Sequence, residues 1–288
     1  MAHTEQACAK LNLSLDILGK RPDGYHDMRM VMQSIDLADT VTLAVQDEPG
    51  LCLTADLPFL PKGGNNIAAK AAARFFEQTR LPVPGLSIDI RKRIPVCAGM
   101  GGGSSDGAAV LRLLRRLFAP DLSRERLEEI GALTGSDVPF CVRGGTALAE
   151  GRGERLTDLP SLPDCWLVVC KPPCAVSTPE LFSLVRVRHL RFHPRTEELL
   201  SALERRDLEG VARRLYNVFE DVLPRRYSQV FEIKSRLLEL GAMASSMTGS
   251  GPTVFGLFRD PAPAQDAAAA LSALFPATFF CKPTGRAV

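Results

Sequence analysis

The sequence lacks the features that mark membrane, secreted and nucleic-acid-binding proteins. No stretch approaches the ~20 uninterrupted apolar residues that a membrane span needs. The first residues, "MAHTEQACAKLNLSLDI", show no basic start followed by an apolar core, so no secretory signal is predicted. The net charge of +2 is too small to favour nucleic acid or an anionic membrane surface as a partner. Together these absences predict a cytoplasmic protein.

Regular cysteine spacing is also missing. Eight cysteines without a repeated spacing fit a reducing compartment better than a disulfide framework. One subset has a spacing close to that of a zinc finger, namely Cys170, Cys174, His189 and His193. However, Cys170 ends an apolar run and no finger core is visible. The sequence therefore favours a buried thiol and solvated histidines over a zinc site.

The chain contains no internal repeat and no low-complexity linker, and its 288 residues allow two domains. Glycine and proline are dense in "GRGERLTDLPSLPD", which predicts an N-terminal domain over residues 1–158 and a C-terminal domain over 159–288. The predicted strands and helices do not alternate regularly. An α+β class is therefore favoured over a doubly wound sheet.

The segment "KLNLSLDI", residues 10–17, alternates between apolar and polar side chains. A period of two over eight residues predicts a half-buried strand. The apolar face would carry Leu11, Leu13, Leu15 and Ile17. The polar face would carry Lys10, Asn12, Ser14 and Asp16.

The segment "PVCAGMGGGSSDGAAVL", residues 95–111, has the glycine content of a phosphate-binding loop. A Walker A loop has a lysine inside it, whereas here no basic residue occurs before Arg112. Glycines let the backbone approach a ligand, and a following helix capped by Ser104 or Ser105 offers free N–H groups to an anion. The alternative is a turn that packs a helix close to a strand. A dinucleotide fingerprint fits less well, because Ser104 occupies the third glycine position.

This loop resembles the second motif of the GHMP kinases, the superfamily of galactokinase, homoserine kinase and mevalonate kinase. "KLNLSLDILGKRPDGYHDM" resembles the first motif and "MTGSGPTVFGLF" the third, in the family's order. With "TGSDVPFCVRGGTALAEGRGE", these stretches are similar to the branch that phosphorylates the 2-hydroxyl of an acceptor with a cytidine diphosphate moiety, in the non-mevalonate isoprenoid route. The resemblance implies a small-molecule kinase that uses ATP and Mg²⁺.

The resemblance also implies an α+β fold of two domains. The N-terminal domain would be ribosomal-protein-S5-like, the C-terminal domain ferredoxin-like, and the active site would lie in the cleft between them. No nucleic acid or membrane partner is expected. The sequence leaves a monomer and a homodimer equally open.

Two residues match the family's catalytic positions. Asp137 would accept or orient the proton of the attacking hydroxyl, and Lys10 would keep Asp137 ionised and offset charge on the transferred phosphoryl group. Taken without the resemblance, Lys10 reads as a solvated lysine on a strand. Asp137 reads equally well as a helix-capping or turn residue.

The resemblance further implies sets of binding residues. The glycine loop would bind ATP through Pro95, Val96, Cys97, Ala98, Gly99, Met100, Gly101, Gly102, Gly103, Ser104 and Ser105. Asn65, Asn66 and Lys92 would contact adenosine, although Lys92 could equally be a solvated charge in "RKR". The acceptor would be bound by Asn12, Tyr25, His26, Gly249, Ser250 and Gly251. Tyr25 could stack on cytosine. For Asn12 a solvated position, and for the 249–251 motif a tight turn, remain alternatives.

The sequence departs from the family's pattern at Cys97 and Ala98, where many relatives have two glycines, and near Asp106, where many have asparagine or another small residue. Two other functions remain open. One is a GHMP kinase for homoserine or mevalonate, and the other is a catalytically silent nucleotide-binding or zinc-binding protein. The pairing of Tyr25-His26 with "TGSDVPF" argues against the first, and the presence of both Lys10 and Asp137 against the second.

Overall fold

The computed structural model describes residues 1–61, 63–190 and 192–287. Within them the strands are β1 (Ala2–Lys20), β2 (His26–Gln46), β3 (Leu51–Ala55), β4 (Gly85–Arg91), β5 (Thr146–Gly151), β6 (Arg155–Asp158), β7 (Trp166–Cys170), β8 (Tyr216–Asn217), β9 (Ala244–Met247), β10 (Val254–Phe258) and β11 (Thr278–Cys281).

The helices surround two sheets. They are α1 (Ile67–Thr79), α2 (Gly102–Phe118), α3 (Arg124–Ala132), α4 (Val138–Arg143), α5 (Thr178–Leu184), α6 (Thr196–Glu204), α7 (Leu208–Ala212), α8 (Phe219–Val222), α9 (Ser228–Glu239) and α10 (Pro261–Ser272). Short 3₁₀ turns occur at Val187–His189 and Arg225–Tyr227.

Both sheets are built mainly from antiparallel neighbours. The larger has the order β3-β4-β2-β1-β8, and the long strand β2 also pairs with β5, which pairs with β6. The smaller has the order β11-β7-β10-β9. Helices and strands therefore do not alternate as in a doubly wound sheet, which agrees with the α+β class.

The strand predicted over residues 10–17 is the middle of β1, but it is not half-buried. Its apolar residues are buried as predicted, with Leu11, Leu13 and Ile17 at 0% exposure. The polar face is buried as well, since Lys10 is 4% and Asn12 0% exposed. The prediction of a solvated polar face is wrong because the loop after β9 covers it. The amide of Asn12, for example, donates to Thr248 Oγ1 at 3.0 Å.

Two helices begin directly after a polar residue that caps them. Asn66 precedes α1, and its side-chain oxygen accepts from the amide of Ala68 at 2.9 Å. Ser123 precedes α3, and its hydroxyl accepts from the amide of Arg126 at 3.1 Å. These caps satisfy N–H groups that the first helical turn leaves unpaired. Asn66 is thereby committed to the helix start, while Asn65 is exposed in the preceding turn.

The chain passes between the two sheets more than once. The chain leaves the larger sheet at Asp158 and enters the smaller at Trp166, yet β8 returns to pair in parallel with β1. The division at residue 158 therefore stays a prediction. Among the described residues, every helix is too short or too polar to span a bilayer.

Candidate active site

A cavity of about 810 Å³ opens where β1, the start of β2, the glycine-rich loop and the loop after β9 meet. Its wall combines residues from all four stretches that carried the sequence argument. Lys10, Tyr25, Gly101, Asp137 and Gly249 all line it. Residues far apart in the chain are therefore brought to one site.

Lys10 and Asp137 form an ion pair on the wall of this cavity. The distance from Lys10 Nζ to Asp137 Oδ2 is 3.6 Å, with the lysine side chain 5% and the carboxylate 32% exposed. The ammonium also donates to Asn12 Oδ1 at 2.8 Å. Lys10 is thus a buried, oriented cation, and the solvated alternative for it is wrong.

Asp137 occupies the residue before α4 but does not cap that helix. Its backbone is helical (φ −85°, ψ −12°), and its side chain makes no capping hydrogen bond. Because the carboxylate is not committed to the helix, it faces the cavity and Lys10. This arrangement disfavours the capping alternative and suits proton transfer to a carboxylate.

The glycine-rich loop leads directly into α2, which begins at Gly102, three residues earlier than a helix capped by Ser104 would. The residue before the helix is Gly101, in the left-handed conformation (φ 70°), so no side chain caps the first turn. The prediction that Ser104 or Ser105 caps it is wrong, because both lie inside that turn. The helix start keeps its N–H groups free for an anion.

The two serines differ in availability. Ser105 is 1% exposed, and its hydroxyl donates to the carbonyl of Cys8 at 2.7 Å. Ser104 lines the cavity. Only Ser104 therefore offers its hydroxyl to a bound phosphate or metal ion.

The rest of the loop divides between cavity and core. Cys97, Gly99 and Gly101 line the cavity, whereas the side chains of Ala98 and Met100 are buried in the core. Other loop residues lie off the cavity wall and can reach a nucleotide only through their backbone, namely Pro95, Val96, Gly102 and Gly103. Their contacts with ATP stay predictions.

The loop after β9 packs backbone to backbone against the glycine-rich loop. A Cβ on Gly99 would lie 2.4 Å from the carbonyl oxygen of Thr248, and one on Gly249 would lie 2.6 Å from that of Gly99. Neither position has room for a side chain. This contact, and not only a tight turn, explains the glycines of the third motif. It also brings Ser250 and Gly251 to the cavity.

Two buried asparagines hold the peptide groups of Gly249 from opposite sides. Asn12 Oδ1 accepts from the Gly249 amide at 3.0 Å, and Asn217 Nδ2 donates to the Gly249 carbonyl at 2.8 Å. Both asparagines are buried, and Asn12 lies behind the cavity wall. The prediction that Asn12 contacts the acceptor is therefore not supported. Its side chain positions Lys10 and Gly249 instead.

Cys97 adopts the left-handed conformation with φ 51°, whereas the neighbouring Ala98 does not. This conformation costs a residue with a Cβ about 1–2 kcal/mol relative to glycine. We expect Cys97→Gly to leave the free energy of unfolding unchanged or to raise it by about 1 kcal/mol. Ala98→Gly should lower it by about 0.5–1 kcal/mol, because it only adds backbone freedom. Urea denaturation of both variants checks this, and equal losses would contradict it.

An aromatic group forms another part of the cavity wall. His26 stacks on Phe182, with ring centroids 4.9 Å apart and an interplanar angle of 23°. Tyr25 is 55% exposed beside them. Burial, with a smaller effect of Lys20, lowers the pKa of His26, so its imidazole is neutral at neutral pH. A neutral imidazole and an open phenol ring suit hydrogen bonding and stacking to an uncharged base.

Lys92 lies away from the cavity wall, in a buried group of three charges. Its ammonium, 5% exposed, contacts Asp39 and lies 2.6 Å from Asp106 Oδ2. Asp39 also accepts from the amides of Arg93 and Ile94. The solvated alternative for Lys92 is wrong, and its predicted contact with adenosine has no support in this position. The group instead holds the start of α2 against the end of β4.

Lys92 is shared by two carboxylates, so the negative charge of Asp106 is only partly neutralised. Burial, opposed by Lys92 and reinforced by Asp39, raises the pKa of Asp106 to about 7. The folded protein then keeps a proton that the unfolded chain releases near pH 4, so rising pH favours unfolding across this window. We therefore expect the free energy of unfolding of Asp106→Asn, measured relative to that of the wild type, to increase by at least about 1 kcal/mol from pH 5 to pH 8. Denaturation at both pH values checks this, and a constant difference would contradict it.

The zinc-finger spacing does not form a metal site. Cys170 is buried in β7, where Thr278 Oγ1 donates to its sulfur at 3.3 Å. His193 Nδ1 lies 2.8 Å from Asp16 Oδ1. Among the described residues, no three His, Cys, Asp or Glu side chains are grouped to hold a metal ion.

Three residues at this site escaped the sequence reasoning. Phe182 and Arg152 line the cavity, and Asn217 fixes the third motif. Phe182 gave no signal, because a phenylalanine in a short helix is unremarkable in sequence. Arg152 was detectable as a cation between two glycines in "EGRGE", a turn between two strands.

Comparison with known proteins agrees with this geometry. Residues 66–145 match the GHMP kinases N terminal domain, and residues 199–277 match the GHMP kinases C terminal. A 4-diphosphocytidyl-2-C-methyl-D-erythritol kinase of Clostridium botulinum (strain Kyoto / Type A2) is 45% identical over 260 residues, covering 90% of this chain and 92% of that protein. The kinase of the same name from Geobacillus kaustophilus (strain HTA426) is 46% identical over 253 residues, covering 88% and 87%.

A solved structure extends the similarity to the whole fold. A crystal structure of 4-(cytidine 5'-diphospho)-2C-methyl-D-erythritol kinase matches with a TM-score of 0.83 and 34% identity, covering 98% of this chain and 100% of that one. The two-domain fold expected from the sequence motifs is thereby confirmed. The chain belongs to the GHMP kinase family and is a small-molecule kinase.

Proposed function

We propose that this protein transfers the γ-phosphoryl group of ATP to the 2-hydroxyl of 4-diphosphocytidyl-2-C-methyl-D-erythritol, in the non-mevalonate route to isoprenoid precursors. The observation that carries the proposal is the position of the Lys10–Asp137 pair against the glycine-rich loop. A Cβ on Gly101 would lie 3.1 Å from Lys10 Cγ and 3.8 Å from Asp137 Oδ2. Phosphate-binding backbone and proton-accepting carboxylate therefore share one wall.

The acceptor would bind with its base on the aromatic wall and its hydroxyl at Asp137. Tyr25 stacks on the cytosine, and the neutral His26 bonds to the edge of the base. Asp137 accepts the hydroxyl proton as the oxygen attacks phosphorus. The ammonium of Lys10 offsets charge that develops on the transferred group, and Asn12 keeps that ammonium in place.

The nucleotide would bind with its phosphates at the start of α2. The free N–H groups after Gly101 and the helix dipole favour negative charge there. Mg²⁺, when bound with ATP, would supply positive charge that offsets the charge of the phosphates. The Ser104 hydroxyl and the Asp137 carboxylate are oxygen donors of the kind that Mg²⁺ prefers, and both lie on the cavity wall.

We further propose that the reaction takes place in the cytoplasm. All eight cysteines are free, and burial raises the pKa of the Cys141, Cys165 and Cys281 thiols to about 12. Unreactive thiols without disulfides suit a reducing compartment. Monomer and homodimer both remain compatible with the site, which one chain completes.

A panel of acceptors tests the proposal against the other kinases of this fold. ADP release is measured with ATP, Mg²⁺ and one of four acceptors: 4-diphosphocytidyl-2-C-methyl-D-erythritol, the same compound lacking cytidine monophosphate, homoserine or mevalonate. We expect kcat/KM to be highest for the first compound by at least about 100-fold, as loss of a stacked base and its phosphate contacts implies. Comparable turnover of homoserine or mevalonate would contradict the proposal. ATP binding without turnover of any acceptor would support the silent alternative.

A further inference from the structure

The cavity contains a second fixed cation, Arg152, in the turn between β5 and β6. Among the described residues that line the cavity, the one other side chain with a positive charge at neutral pH is Lys10, because the pKa of His26 is lowered. Lys10 is already engaged by Asp137 and Asn12. Arg152 is therefore the cation on this wall that is available to a ligand.

The guanidinium of Arg152 forms no ion pair among the described residues. It lies over the ring of Tyr25, whose centroid is 5.1 Å from the guanidinium carbon. The nearby Asp23, whose pKa is lowered mainly by a hydrogen bond from the Tyr25 amide and least by Arg152, is ion-paired with Arg21 at 3.2 Å. A half-buried arginine with free donors is suited to phosphate oxygens, which it can bind in bidentate fashion.

The position of Arg152 lies between the two ends of the proposed acceptor. On one side its guanidinium faces Tyr25, where the base stacks. On the other side the next residue, Gly153, packs near Ser136, since a Cβ there would lie 3.7 Å from the Ser136 carbonyl oxygen. Ser136 precedes Asp137, where the 2-hydroxyl reacts. In a cytidine diphosphate acceptor, the diphosphate is the part that joins base and polyol.

We propose that Arg152 binds the diphosphate of the acceptor and so makes the site specific for a nucleoside diphosphate over a nucleoside. This inference rests on the proposed function, because it uses the acceptor's orientation between Tyr25 and Asp137. It adds a specificity-determining contact. Arg152 binds the acceptor equally before and during transfer, so its loss raises KM and leaves kcat nearly unchanged.

The test compares Arg152→Met, Arg152→Lys and the control Arg155→Met, which removes an exposed arginine from the same hairpin. Dissociation constants for CDP and for cytidine are measured by calorimetry, together with kcat and the KM of acceptor and ATP. We expect Arg152→Met to weaken CDP and acceptor binding about 10- to 100-fold, as loss of a charged hydrogen bond implies. Cytidine binding and the KM of ATP should stay within about 2-fold. Arg152→Lys should recover part of the loss, and Arg155→Met should behave as wild type.

Four results would overturn the inference, the last of them together with the proposed function. Equal weakening of CDP and cytidine would mean that Arg152 only supports Tyr25. A raised KM for ATP alone would assign the cation to the nucleotide. Unchanged CDP binding in Arg152→Met, with an active wild type, would refute this inference and leave the proposed function standing. A wild type that neither binds CDP nor phosphorylates the acceptor would refute both.

Discussion

Asp137→Asn is expected to lower kcat by about 10²–10⁴-fold, because the amide cannot accept the proton of the attacking hydroxyl. The substitution preserves the shape of the side chain. It also spares the helix start, since Asp137 makes no capping bond. Affinities for ATP and CDP should therefore stay within a few-fold of wild type. Steady-state kinetics with calorimetry separate the two effects.

A matched change at the partner sharpens this test. Lys10→Met keeps the aliphatic stem that packs beside Gly101 and removes the ammonium 3.6 Å from Asp137. We expect a similar loss of kcat, and a double variant only slightly worse than either single one, because the two groups act as a unit. Losses that multiply, or an Asp137→Asn enzyme with near-normal kcat, would contradict the assigned roles.

Lys92→Met is expected to lower the free energy of unfolding by about 3–5 kcal/mol at pH 8, the usual cost of removing one member of a buried ion group. Asp39 and Asp106 would then face each other without a cation in a site that excludes water. Asp39 accepts hydrogen bonds from two backbone amides, which favour its ionised form. Protonation would therefore occur mainly at Asp106 and would reduce the repulsion between the two carboxylates. Urea denaturation measures the loss.

Two further variants separate charge burial from other effects. Lys70→Met removes an exposed lysine from α1 and should change stability by less than about 0.5 kcal/mol. Adding Asp106→Asn to Lys92→Met should recover part of the loss, because one uncompensated carboxylate disappears. If Lys92→Met cost under about 1 kcal/mol, the buried group would not stabilise the start of α2. Impaired ATP binding by the folded variant would support the adenosine contact expected from the motif.

Features that depend on residues close together in the chain can be predicted from the sequence. The caps at Asn66 and Ser123 follow from side chains within three residues of the bonds they make. The alternation in β1 likewise identified its apolar face. Burial of its polar face could not be predicted, because the covering loop lies 236 residues further along the chain. The solvent exposure of a polar residue therefore depends on the tertiary structure and not on its sequence neighbours.

The same limit explains why the solvated alternatives for Lys92 and Asn12 are wrong. "RKR" has the local appearance of a solvated run, whereas the partner Asp39 lies 53 residues earlier. Asn12 was assigned to the cavity because it shares a strand face with Lys10. In the structure, the amide of Gly249 donates a hydrogen bond to Asn12 Oδ1, so this oxygen is already engaged within the protein. By contrast, the Lys10–Asp137 pair was anticipated from the family's motifs, and the geometry agrees with it.

Phosphorus NMR of one reaction shows directly whether the protein phosphorylates the 2-hydroxyl of the proposed acceptor. The protein is incubated with ATP, Mg²⁺ and 4-diphosphocytidyl-2-C-methyl-D-erythritol that is labelled with ¹³C at the 2-position. The ³¹P spectrum is followed over time, and coupling of a new phosphorus signal to the labelled carbon identifies where the phosphate is attached. We expect a new phosphate monoester on that carbon, formed by the wild type and not by Asp137→Asn or Lys10→Met. A wild type that binds ATP but forms no monoester, or a monoester that both variants still form at the wild-type rate, would contradict this expectation.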